Sequence, residues 1–170
     1  MKVPRSMLIL LLMIAILSAG CFEIDEIGPD PEEGDLVLTI SMDIQTYEVR
    51  PDSMMIGIEL KNAADHAVVV EEAFSFGSSL FPTISGSNGS TVLLSYPIMD
   101  YSPDYSLFEP GEKKTREIDL AGMAPEMQTD TGIIDFDWSI PDVYEISIGY
   151  WGSRNPLEVR SNTITFEIAE

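Results

Sequence analysis

Three observations predict an all-β fold, an antiparallel β-sandwich of about seven short strands. Apolar and polar residues alternate with period two through residues 35–170. Clusters of Gly, Pro, Asn, Asp and Ser divide those runs at short intervals. No stretch holds a helical period over a window of about 11 residues. Alternation of this kind buries one face of a strand and leaves the other in water, which suits antiparallel pairing. A small barrel uses the same pattern and remains the alternative.

The elements follow in order. Leu36, Leu38, Ile40, Met42 and Ile44 share one face, with Thr39, Ser41 and Asp43 on the other. Tyr47 and Val49 continue the run toward a turn at Arg50-Pro51-Asp52. Met54, Ile56, Ile58 and Leu60 repeat the alternation, residues 62–66 turn, and residues 67–76 form a third strand. Further strands are expected at residues 91–96, 113–120, 143–151 and 162–168. Turn chemistry separates them at residues 85–89, 109–111 and 140–142, where Gly, Pro, Asn and Asp supply the required backbone angles. No internal repeat is present. Residues 35–170 suffice for one domain with a hydrophobic centre and are too few for two.

The segment before that domain has a different composition. Lys2 and Arg5 precede an apolar stretch at residues 7–17, and small residues lead to Cys21. That order reads as a secretory signal over residues 1–20. The apolar stretch, at most 13 residues to Ala19, is shorter than the roughly 20 that a spanning helix needs. An uncleaved anchor is therefore disfavoured, and a non-lipidated signal cut near Ala19 is a second alternative. Residues 22–34 carry six acids, two prolines and two glycines. With so little to bury they are expected to form a flexible tether that extends to about 40 Å. The chain has one cysteine, so an exported fold has no internal disulfide and rests on its core.

Leu17-Ser18-Ala19-Gly20-Cys21 resembles the lipobox of prokaryotic lipoproteins. The family often has a large aliphatic residue three places before the cysteine, where this chain has Ser18. The resemblance implies that Cys21 is lipidated and begins the mature protein. It places the domain on the extracytoplasmic face of the cell membrane, held by the lipid.

Charge limits the partners. The chain has 9 Lys and Arg against 29 Asp and Glu, a formal charge of −20; loss of Lys2 and Arg5 with the signal takes this to −22. Nucleic acid is excluded, because phosphate binding needs a basic footprint. Direct adhesion to anionic headgroups is disfavoured for the same reason. A strongly acidic surface keeps a displayed domain soluble, and also attracts cations or a basic partner.

No catalytic constellation stands out. The single histidine, His66, falls in a predicted turn beside Asp65 and reads as a solvated turn residue. Nucleophilic catalysis needs an activated nucleophile with a base, and no G-x-S-x-G, phosphate-binding glycine loop or His/Cys cluster is present. A non-catalytic protein without a resident cofactor is expected. Asp130, Asp135, Asp137 and Asp142 are the weak calcium candidates, since calcium takes six to eight oxygens converging from loops. Their spacing lacks the glycine and closing glutamate of an EF-hand, and a solvated acidic surface is the other reading. Tyr96, Tyr101, Tyr105 and Phe108 lie in a Pro/Ser-rich connection. Tyrosines there suit recognition of a protein, or fold back to cover a sandwich end. Asn88-Gly89-Ser90 is an N-glycosylation sequon in a predicted turn.

Residues 141–150, Pro-Asp-Val-Tyr-Glu-Ile-Ser-Ile-Gly-Tyr, resemble the penultimate strand of immunoglobulin-like domains. The resemblance implies that Tyr144 sits at a corner with its hydroxyl bonded to nearby backbone. It also implies that Tyr144, Ile146, Ile148 and Tyr150 face inward and that residues 161–168 return antiparallel as the last strand. The order of a strand-end Asn, a Pro-Gly-Glu turn at residues 110–112, the Pro-x-x-Tyr strand and a final strand is similar to the BsuPI type of proteinase inhibitor. That similarity supplies no inhibitory residue set. The expected function is a non-catalytic binding or structural domain at the cell envelope with a protein partner. A surface proteinase inhibitor and a calcium-binding adhesion module are the alternatives.

Overall fold

The computed structural model describes residues 28–74, 78–87, 91–93, 103–122, 126–129, 132–135, 138, 140–152, 154 and 157–170, the three short stretches 91–93, 126–129 and 132–135 by their backbone. Every regular element among them is a strand: β1 Leu36–Ser41, β2 Thr46–Glu48, β3 Met55–Asn62, β4 Val68–Glu71, β5 Leu80–Gly86, β6 Thr91–Leu93, β7 Tyr105–Phe108, β8 Lys113–Asp119, β9 Glu126–Thr129, β10 Gly132–Asp135, β11 Asp142–Tyr150, β12 Val159–Arg160 and β13 Ile164–Ala169. The fold is the all-β sandwich expected, cut into more and shorter strands than seven.

One sheet has the order β1-β3-β8 and the other β2-β13-β11-β5-β6, with β12 also on β11. β4 pairs with β7, and β9 with β10. The pairings are antiparallel except that β2 runs parallel to β13. The first run of the sequence is thus split between the sheets. β1 stays on β3, and the chain then crosses so that Tyr47 lies beside Ile168. Asn162 marks the crossing: its side-chain amide accepts from Ile40 N at 2.9 Å and donates to Ile40 O at 3.1 Å, as a neighbouring strand would.

The alternating residues meet in one core. Leu36, Leu38 and Ile40 from β1, and Ile56, Ile58 and Leu60 from β3, pack with Ile84, Tyr144, Ile146, Ile148, Tyr150, Phe166 and Ile168 from the other sheet. Val68, Val70 and Phe108 add the inner side of the β4–β7 pair. Each such fully buried side chain contributes about 2 kcal/mol by leaving water. Tyr144 donates its hydroxyl to Ile140 O at 2.9 Å, the corner expected from the sequence. It stacks on Phe166 at 5.6 Å, and Trp138 closes edge-on against it at 5.9 Å.

The central partner of β11 is β5, which the sequence reading did not place. Pro82 interrupts its run, and proline removes a ladder donor. The chain avoids that loss by geometry. Trp151 N donates to Ser79 O, which by alternation turns the odd positions of β5 toward β11. The nitrogen of Pro82 then faces the other side, past the end of the β6 register at Thr83 and Leu93. The third strand, expected over 67–76, ends at Glu71.

Candidate functional site

The outer edge of β4 is where the chain before the sandwich is gripped. Residues 28–34, expected in the free tether, are bound to the domain. Val69 N donates to Pro29 O at 2.8 Å and Glu71 N to Gly152 O at 2.6 Å. Both amides sit at alternate positions, so both point away from β7 and would otherwise form an open strand edge. Arg154 joins the two covering segments, with Nε on Asp30 Oδ1 at 2.8 Å and Nη2 on Gly28 O at 2.6 Å. Pro31 is buried. Gly28 lies so close to β7 that a Cβ there would stand 2.6 Å from Leu107 Cδ2. Residues 22–27 lie outside the described residues.

The loop after β11 is shaped for this junction. The Tyr150 ring folds back over Gly152, occupying the space a Cβ would need, and its hydroxyl donates to Gly152 O at 2.8 Å. Burial, and next the Glu71 carboxylate, push the Tyr150 phenol well above its usual value. Glu71 itself is 5% exposed. Tyr105, opposite Glu71 in the β4–β7 register, is also raised, first by burial and then by Glu71, with Arg154 opposing. Lys114 reaches across from β8, donating to Glu71 O at 2.8 Å with its ammonium 5.8 Å from the Phe108 ring centre. Burial lowers its pKa, against the pull of Glu112, Glu72 and Glu71. The arrangement holds a segment in place. It pairs no nucleophile with a base among the residues named.

Beside the junction, Trp151 is 53% exposed and leans on Phe81, ring centres 5.0 Å apart and 38° tilted. Leu107 is 44% exposed. Neither Trp151 nor Arg154 stood out in sequence, because a Trp closing an apolar strand reads as core and one arginine in a loop reads as solvated. A second feature, an open polar depression of about 580 Å³, lies on the outer face of β1-β3-β8. Thr39, Ser41, Glu59, Thr115 and Glu117 line it around Gly57, and Glu59 is paired with Lys113 at 2.9 Å.

The residues singled out from the sequence scatter. Of the aromatic connection, Tyr105 and Phe108 belong to β7 rather than to a loop. Phe108 is wholly buried in the core and presents no contact surface, because its position in β7 faces inward beside Val68. Tyr96 and Tyr101 lie outside the described residues, as do Cys21, Asn88, Asp130 and Asp137. Asp135 ends β10, and its side chain is not among those described. Asp142 accepts from Ser87 N at 3.1 Å, Ser87 Oγ and Val143 N at 2.7 Å, and those bonds hold its carboxyl below the usual range. Among the described residues no three His, Cys, Asp or Glu side chains converge on one point. His66 is half-exposed, with ring nitrogens 3.2 Å from Asp65 and 3.8 Å from Asp35.

No family model matches the chain, and no curated protein does. Solved structures show distant likenesses. A β-glucosidase from Erythrobacter marinus is 15% identical with a TM-score of 0.44, covering 79% of this chain and 15% of its own. A β-glucosidase from Kluyveromyces marxianus in complex with glucose is 18% identical with a TM-score of 0.42, over 79% and 14%. The CARDB domain of a Pyrococcus furiosus protein, solved with di-metal ions, is 13% identical with a TM-score of 0.40, over 85% and 97%. The chain thus spans about 15% of the first-named enzyme. Likenesses at this level carry nothing about activity.

Proposed function

We propose that the protein is a lipid-anchored, extracytoplasmic β-sandwich that displays a non-catalytic binding surface at the cell envelope. The observation that carries this reading is the order basic residues, apolar stretch, small residues, Cys21, acidic segment. The capture of that segment from Gly28 onward on the β4 edge supports it, since it gives the domain a defined point of attachment. Replacing Cys21→Ser tests the anchor: the variant is expected to move from the membrane fraction to the soluble fraction, and retention in the membrane would contradict the reading.

The partner proposed is a protein that meets the end of the sandwich away from the tether. β11 runs nine residues from Asp142 to Tyr150, a length of about 27 Å at strand rise. Ile140 and Val143 are exposed near its start, and Val49 beside the end of β13. Apolar side chains on an otherwise acidic surface suit a protein contact. The double substitution Ile140→Asp with Val143→Asp is expected to abolish envelope cross-links formed from this face in the folded protein. Unchanged cross-linking would rule the face out.

A further inference from the structure

We propose that the surface carrying Trp151, Phe81 and Leu107 rests against the headgroup region of a zwitterionic bilayer, with Trp151 as the side chain that enters it. This rests on the lipid-anchor reading of Cys21.

The argument begins with reach. Gly28 is fixed to the domain through Arg154, and Pro29 through Val69. Seven residue steps separate Cys21 from Gly28. Covalent geometry limits them to about 25 Å, whatever conformation they take. A domain of this length is about 35 Å across. The connection is therefore shorter than the domain is wide, and the side it leaves from stays nearest the membrane.

The exit side has the chemistry for that contact. Leu107 stands against Gly28 itself, 44% exposed. Trp151 is three residues before the arginine that grips Gly28, and its neighbour Gly152 bonds the β4 edge. It is 53% exposed, backed by Phe81 at 5.0 Å. Indole joins a large apolar ring to one N–H donor, and so favours the boundary between hydrocarbon and water. Arg154, a cation of this side, is already paired with Asp30, and Lys114 is turned onto Glu71 O. With a chain charge of −20 before maturation, anionic headgroups repel the domain, which leaves zwitterionic lipid as the surface that fits.

The test uses the lipidated mature protein, from Cys21 onward, bound to phosphatidylcholine vesicles, with and without brominated phosphatidylcholine as a quencher. The expected result is a loss of tryptophan emission with the brominated lipid that disappears in Trp151→Phe, leaving the signal of buried Trp138. Lipidated, vesicle-bound protein whose emission is unaffected by bromine overturns the inference and leaves the anchor reading standing. A loss that persists undiminished in Trp151→Phe also overturns it. Protein recovered from the membrane fraction with no lipid on Cys21 overturns both. A Trp151 emission change produced by soluble saccharide, with no quenching by lipid, assigns the aromatic to a sugar and likewise overturns it.

Discussion

Tyr144 ties sequence to packing through a single bond. Its hydroxyl donates to Ile140 O while its ring stacks on Phe166, so Tyr144→Phe removes the bond and keeps the ring. The expected loss is about 1 kcal/mol, measured by urea unfolding; an unchanged midpoint would show the corner to be passive. Asp119 works through charge. Its Oδ1 accepts from Met54 N at 2.8 Å and Ala121 N at 3.0 Å. The Met54 bond first, with Ala121, Ser53 and Gly122 helping against desolvation, holds its carboxyl below the ordinary 3.8. A depressed folded pKa contributes stability above the unfolded value and loses it as pH falls through the folded one. Asp119→Asn is therefore expected to be less stable than the parent at neutral pH. The gap should close as pH drops below 3.8. A gap independent of pH would assign the effect to shape rather than charge.

The β4 edge shows what elements add that residues do not. β4 has four residues, all buried, and its outer amides are covered by two segments far apart in sequence. Arg154→Ala frees Gly28 O and Asp30 from their shared partner. The pair is partly exposed, so global stability should fall by about 1 kcal/mol or less. Hydrogen exchange at Val69 should quicken well beyond that of β11, and uniform exchange across both strands would contradict the grip. Strands with clean alternation, β1, β3, β11 and β13, were legible because one face of each meets the core. β5 was hidden by Pro82, whose unpaired side is a property of its neighbours rather than of its own run. β7 was hidden because Ser106 and the preceding prolines look like loop, while the place of Phe108 in the core comes from its long-range pairing with Val68. The grip of Arg154 on Gly28 spans 126 positions, a distance over which local pattern carries no signal.

At the scale of the whole molecule, the proposed anchor and the grip on the β4 edge together set an orientation. The apolar stretch and Cys21 carry the proposed address, and the β4 edge binds the chain at Pro29. Gly28 and Pro29 of the expected tether are bonded to the domain, so an anchor at Cys21 would lie within seven residue steps of it. Exposed apolar side chains fall at both ends of β11, Trp151 beside the grip and Ile140 with Val143 at the far end. In the proposed reading the first end meets the bilayer and the second a protein partner. The central claim is that Cys21 is where this chain meets lipid. Intact mass and sequencing of the mature N-terminus from the membrane fraction test it most directly. The account predicts a chain that begins at Cys21 and carries acyl mass on that residue. A chain that retains residues 1–20, or an unmodified Cys21, would contradict it.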